Sequence, residues 1–194
     1  MIIGITGGTG CGKTTLLKLI QEFGGTALDC DAIYHQLLLT DTTLLAAIGT
    51  RFPGTVRNGR LDKKALGKIV FSDPVALKAL NSITHNAVKE AVITQLTPLP
   101  RLAGIDAIAL FESGLSELCQ LTVAITAPQD SRIQRLVQRD GISRDYALAR
   151  IRAQHPQESF VRMCDYHLLN DGTPEQFREK CLAFLSDLGI MKEE

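Results

Sequence analysis

The chain has 194 residues and a formal net charge of zero, with 21 basic and 21 acidic side chains. That length suits one substantial core with room for a small insertion. The charge balance gives no support to a nucleic-acid binder driven by phosphate-backbone attraction, and no apolar run is long enough for a membrane span.

In chain order, residues 2–6 read as a first apolar strand and Lys13–Glu22 as the helix after it. Thr26–Asp29 reads as a short second strand ending in a carboxylate, and residues 31–47 as one helix. Pro53, Gly54, Asn58 and Gly59 mark an irregular junction. Helices are expected over 62–71 and 74–96, the second started by Asp73-Pro74. Ile105–Phe111 and Leu121–Thr126 read as buried strands. Residues 129–139 and 143–153 read as helices parted by Asp140-Gly141. Tyr166–Leu169 is a last strand and 174–188 a last helix. Strands alternating with helices predict an α/β fold with a mostly parallel sheet covered on both faces. The helical stretch between 31 and 96 is too long for one crossover, so part of it is expected to form a cap.

The most specific motif is Gly7-Gly8-Thr9-Gly10-Cys11-Gly12-Lys13-Thr14, a complete phosphate-loop signature between strand and helix. Its small residues let successive N–H groups converge on a polyphosphate, and the helix adds the positive end of its dipole. Lys13 suits the outer phosphates and Thr14 suits magnesium. Gly8, Thr9, Gly10, Cys11, Gly12 and Thr15 complete the expected nucleotide contacts. Cys11 reads as a small-residue filler and not a nucleophile.

Asp29-Cys30-Asp31 follows the second strand, at the sheet edge where α/β ligands gather. One carboxylate there can orient or deprotonate a hydroxyl while the other holds magnesium through water; capping the next helix is the alternative use. Glu112 is expected at the mouth of the Ile105–Phe111 strand, near magnesium or its waters. Arg132, Arg135, Arg139, Arg144, Arg150 and Arg152 crowd one segment of a neutral chain. Arg139, beside the Asp140-Gly141 hinge, suits a lid over the transferring phosphoryl; Arg132 and Arg144 read as ordinary solvated helix charge. His35 lies one turn after Asp31, His85 lies on the long helix, and no histidine spacing suggests a structural metal. Asn170-Asp171-Gly172 reads either as a turn or as a loop contacting a base edge. No N-K-x-D sequence is present and no D-x-x-G switch follows the 105–111 strand, which argues against a regulatory GTPase. Another small-molecule kinase, acting on a nucleoside or nucleotide, is the alternative to the reading below.

The five cysteines are widely spaced with no C-x-x-C pair, so free thiols in a reducing compartment are expected. Residues 1–5 run directly into the loop, which leaves no leader to expect, and the location expected is cytoplasmic.

Taken in order, the motifs resemble the dephospho-coenzyme A kinase family over essentially all of residues 2–188. They are Ile5-Thr6-Gly7-Gly8 through Gly12-Lys13-Thr14-Thr15, Asp29-Cys30-Asp31-Ala32 with His35, and Gly59-Arg60-Leu61-Asp62. Leu66, Val70-Phe71 and Leu80-Asn81-Ser82-Ile83-Thr84-His85 follow. Leu110-Phe111-Glu112, Gln138-Arg139-Asp140, Ala153-Gln154, Asp165-Tyr166 and Asn170-Asp171-Gly172 complete the series. The resemblance implies a P-loop kinase domain over 1–194, with an acceptor-binding helical cap over about 32–100 and a lid over about 129–155. It implies phosphorylation of the ribose 3′-hydroxyl of dephospho-coenzyme A with ATP and Mg²⁺, and no nucleic acid, membrane or obligate protein partner. In it Asp31 looks like the base, with His35, Arg60, His85 and Glu112 on the acceptor side. Arg139 belongs to the lid, and Asn170 and Gly172 lie near adenine. Asn86, Lys63, Pro53 and Ala109 depart from the family's usual proline, arginine, glycine and proline.

Overall fold

The computed structural model describes residues 1–190; the end of the expected 1–194 span lies outside them. The chain divides into two compact units: Met1–Leu28 with the chain from Leu99 onward, and Asp29–Pro98 between them. In the first unit β1 (Ile2–Thr6) is the central strand of a five-stranded sheet. Across the sheet the order is β2 (Thr26–Asp29), β5 (Ala103–Asp106), β1, β6 (Leu121–Thr126) and β7 (Tyr166–Leu169). β1 runs parallel to both neighbours, Ile2 opposite Ala103 and Ile3 opposite Leu121, and β6 runs parallel to β7. Every residue of β1 and β5 is buried, as expected of strands covered on both faces.

Helices α1 (Lys13–Glu22) and α9 (Pro174–Asp187) cover one part of this core. Leu16, Leu19 and Ile20 meet Phe177, Cys181 and Leu185 over Ile3, Ile5, Val123 and Ile125. α9 opens on a full capping box, Thr173 with Gln176, and carries Pro174 in its first turn. α6 (Gln129–Asp140) and α7 (Arg144–Arg152) form a hairpin with its own apolar seam of Ile133, Leu136, Ala147 and Ile151. Gly141, at φ 65°, ends α6, and the Ser143 side chain caps α7. α8 (Gln157–Met163) follows, a helix that the sequence pattern did not predict.

The unit at residues 29–98 is a separate helical core. α2 (Cys30–Thr40), α3 (Thr42–Arg51), α4 (Lys63–Val70) and α5 (Pro74–Gln95) pack Leu38, Leu45, Ile48, Phe52, Leu66, Val70 and Ala76 together. The single helix expected over 31–47 is two, because Asp41 ends α2 in extended backbone. Its carboxylate then accepts the N–H groups of Thr43 and Leu44 to start α3. The junction expected to be irregular holds a two-residue hairpin. β3 (Val56–Arg57) and β4 (Arg60–Leu61) pair across Asn58-Gly59, both at positive φ, as a tight turn of this kind demands.

The strand expected over 105–111 stops at Asp106, and residues 108–114 are turns. The apolar run continues because Leu110 is fully buried, not because the chain stays extended. A short apolar stretch cannot tell a packed turn from a strand. No described helix is long and apolar enough to cross a membrane.

Asp165 anchors the edge strand β7. One carboxylate oxygen accepts the Thr122 N–H at 2.7 Å and its hydroxyl at 2.8 Å. These bonds hold its carboxyl below the usual carboxylate range. A depressed folded pKa gives stability that is complete above the unfolded value of about 3.9 and disappears as pH falls through the folded one. Asp165→Asn is therefore expected to lower Tm at pH 7 by about 2–4 °C. The variant's Tm should also fall less steeply than the parent's between pH 5 and 2, and parallel curves in a thermal-unfolding pH series would contradict this.

Candidate active site

The segment between β1 and α1 is a loop whose shape depends on two glycines. Gly7 sits at φ 136°, and a Cβ there would lie 2.1 Å from the Ile125 carbonyl oxygen of β6. Gly12, at φ 100°, is the residue before α1, and a Cβ there would meet the Asn170 side chain at 2.4 Å. No side chain caps α1. Among the described residues the N–H groups of Gly10, Gly12, Lys13 and Thr14 find no protein acceptor. A turn of unpaired amides running into an uncapped helix start is an anion cradle.

On the carbonyl side of the same loop three oxygens are held by side chains. Arg132 Nε donates to the Thr9 carbonyl at 2.9 Å, and Arg135 Nη1 to the Gly10 carbonyl at 3.2 Å. Asn170 Nδ2 donates to the Cys11 carbonyl at 2.8 Å, and its Oδ1 accepts Arg135 Nη2 at 2.9 Å. Gln154 Oε1 accepts the Thr9 N–H at 2.8 Å. Held this way, the Thr9, Gly10 and Cys11 peptides keep their oxygens toward α6 and the end of β7. The amides of Gly10, Gly12, Lys13 and Thr14 stay without a competing partner among the described residues.

Charge at the loop comes from Lys13, whose Nζ lies 3.8 Å from Asp106 Oδ1, both side chains almost buried at 11% and 10% exposure. Asp106 ends β5 and so holds the strand-end place expected for Glu112. Glu112 lies instead in the turns beyond and faces His155 at 3.5 Å. Thr14 is exposed in the first turn of α1. Arg139, at the end of α6, donates to Asp140 at 2.6 Å, and Arg150 donates to the same carboxylate at 2.7 Å. The two guanidinium groups hold the Asp140 carboxyl down at about 2. Cys11 is buried, which pushes its thiol up, and its Sγ donates to Gln157 Oε1 at 3.5 Å. None of the five cysteines forms a disulfide.

In the 29–98 unit, Asp29 caps α2 by accepting the N–H groups of Asp31 and Ala32 at 3.0 and 3.1 Å. Asp31 is exposed in the first turn, and its own carboxylate has no hydrogen-bond or ion-pair partner among the described residues. His35 follows one turn later beside Tyr34, Arg60 is exposed on β4, and His85 is half-buried on α5.

Sequence reasoning assigns no site role to Asp106, none to Gln154 beyond its place in the motif series, and no burial to Arg132. Arg132 was expected in solvent and is 4% exposed, because the glycines of the loop leave space against which its guanidinium packs. Asn170, expected near adenine, is also 4% exposed, with both ends of its carboxamide bonded to the loop clamp.

A parallel sheet, a phosphate loop with free amides, and a buried lysine beside a strand-end carboxylate define a P-loop nucleotide-dependent phosphotransferase. Comparison with known proteins narrows the class. The family model described as dephospho-CoA kinase matches residues 1–176. A dephospho-CoA kinase of Thermus thermophilus is 36% identical over 189 residues, covering 97% of this chain and 92% of that protein. A crystal structure from Thermus thermophilus matches with a TM-score of 0.80 at 35% identity, covering 97% of both chains. Dephospho-CoA kinase from Campylobacter jejuni matches with a TM-score of 0.67 at 26% identity, covering 98% of both. The chain belongs to the dephospho-CoA kinase family and is an ATP-dependent phosphotransferase of that type.

Asn170→Ala removes the 2.8 Å donor to the Cys11 carbonyl and the acceptor of Arg135 Nη2, a loss of about 1–3 kcal/mol. It is expected to weaken ATP and inorganic tripolyphosphate alike, by about tenfold. Calorimetry that found ATP weakened and tripolyphosphate unchanged would instead make Asn170 a base-contacting residue.

Proposed function

We propose that the chain transfers the terminal phosphoryl of ATP to the ribose 3′-hydroxyl of dephospho-coenzyme A, with Asp31 as the base. The observation that carries the assignment is the division of labour among the aspartates of the 29–98 unit. Asp29, Asp41, Asp62 and Asp73 each accept N–H groups at a helix start. Asp31 is the fifth, and it caps nothing. A carboxylate held at the first turn of a helix without a partner is available to accept a proton from a hydroxyl.

Within this reading the loop from Gly8 to Thr15 binds the β- and γ-phosphates through the amides of Gly10, Gly12, Lys13 and Thr14, with the Lys13 ammonium along their outer oxygens. The buried Asp106 keeps the Lys13 ammonium fixed, so little reorganisation accompanies charge development on the phosphoryl. Thr14 and Asp106 would hold Mg²⁺, which when bound would neutralise charge on the phosphate oxygens. Their oxygen-only donor set suits that hard cation. Arg139, at the hairpin end of α6, approaches the phosphoryl in transit, and closure of the α6–α7 hairpin excludes water from it. His35, Arg60, His85 and Glu112 serve the acceptor, and Gly172 offers backbone near adenine.

Dephospho-coenzyme A is the acceptor partner, and the reading includes no nucleic acid, membrane or obligate protein partner. Five cysteines without a disulfide suit a reducing compartment and so a cytoplasmic location.

A panel of hydroxyl acceptors with labelled ATP, with the product assigned by NMR, tests the reaction. Strong preference for dephospho-coenzyme A and phosphate on the 3′-oxygen are expected, and equal transfer to nucleosides would overturn it. Asp31→Asn is expected to lower kcat by about 10²–10⁴-fold with KM for ATP nearly unchanged. Near-normal turnover in that variant would remove Asp31 from its role. Lys13→Ala should impair both ATP binding and transfer, as unchanged steady-state kinetics would disprove.

A further inference from the structure

The first unit buries a cation that no carboxylate neutralises among the described residues. Arg132 is 4% exposed, and its partners are the neutral oxygens of the Thr9 carbonyl and the Gln154 carboxamide, at 2.9 and 3.3 Å. Three carboxylates of the same unit are taken up by other cations: Asp106 faces Lys13, Asp130 takes Arg144, and Asp140 takes Arg139 and Arg150. Arg135 likewise donates only to neutral oxygens. A guanidinium stays charged in a protein, and burying it without a counter-charge is costly.

Its placement is specific. A Cβ on Gly8 would lie 2.3 Å from Arg132 Nη2, so the guanidinium rests directly on the loop backbone. Gln154 closes a ring, accepting from both Arg132 and the Thr9 N–H. A neutral amide oxygen thus occupies the place where a glutamate would complete an ion pair. Burial raises the Cys11 thiol, and of the charges that draw it back Arg132 comes first, so its field reaches into the loop.

We propose that Arg132 is a positioning residue whose counter-ion is the polyphosphate itself. The ring with Thr9 and Gln154 fixes its guanidinium behind the loop, and the charge balance closes when phosphates seat on the amides. Gln154 keeps that place open by holding the arginine without neutralising it. The proposal rests on the reading that a triphosphate binds this loop.

Calorimetry with ATP, tripolyphosphate and adenosine, together with ligand-free Tm, tests it on the full chain. Gln154→Glu supplies an internal counter-ion while keeping an acceptor for Thr9. Its ligand-free Tm is expected to hold or rise while ATP and tripolyphosphate bind about tenfold more weakly and adenosine is unchanged. Arg132→Gln should weaken both phosphates by at least as much, and Arg132→Lys should recover part of that loss. The proposal is overturned by any of three results: Gln154→Glu binding within twofold of the parent, a fall in its ligand-free Tm, or Arg132→Lys binding no better than Arg132→Gln. A parent chain that binds neither ATP nor tripolyphosphate would overturn the loop reading itself, and the proposal with it.

Discussion

The hydrogen bonds made to the carbonyl side of the phosphate loop are the constraint on which the site depends. A glycine-rich turn has many accessible conformations, and only those with several amides on one side bind a polyphosphate. Here Arg132, Arg135 and Asn170 hold the Thr9, Gly10 and Cys11 carbonyls. The ordering entropy of the loop is therefore met on folding and not on ligand binding. The clamp reaches the loop from elements far apart in sequence, α6 and the end of β7. The parallel order β1–β6–β7 is what brings those ends beside it. The five-stranded sheet is thus more than a scaffold, since its strand order selects which side chains stand behind the phosphates.

What was legible in the sequence follows from how local each signal is. β1, the loop and α1 are contiguous and carry a motif with a mechanical meaning, so they stand where the residues placed them. Asp73-Pro74 starts α5, because a cap and a tolerated first-turn proline are local devices. Asp41 and Asn58-Gly59 carry equally local signals, yet the sequence reading runs a helix through the first and makes the second an irregular junction. The end of β5 was not. Leu110 is buried whether residues 107–111 are strand or turn, and only the packing over Gly4 of β1 decides the matter.

The candidate site divides the same way. Lys13 and Thr14 are fixed by the motif, whereas Asp106 became visible only once the strand was known to stop there. Arg132 was illegible for a deeper reason. One charged residue per turn on an amphipathic helix reads as its solvent face. Nothing local reveals that the glycines of a loop more than a hundred residues away have removed the side chains that would otherwise occupy that space. Glycine content informed the turn geometry, but it also made room for a guanidinium.

The zero net charge of the chain conceals how unevenly its charges are used. In the 29–98 unit four aspartates stabilise helix starts through short-range hydrogen bonds, which leaves their charge locally compensated by amide dipoles. In the first unit Arg132 and Arg135 meet only neutral oxygens, and Asp130 and Asp140 of the α6–α7 hairpin are paired with other arginines. Global neutrality thus coexists with a local positive excess behind the loop. Composition cannot report such a separation, because it is created by which carboxylates act as caps and which cations are buried. A phosphate-binding site needs that excess only within a few ångströms of the loop, where the interior screens little. A chain with no overall basic character therefore loses nothing in holding a polyphosphate.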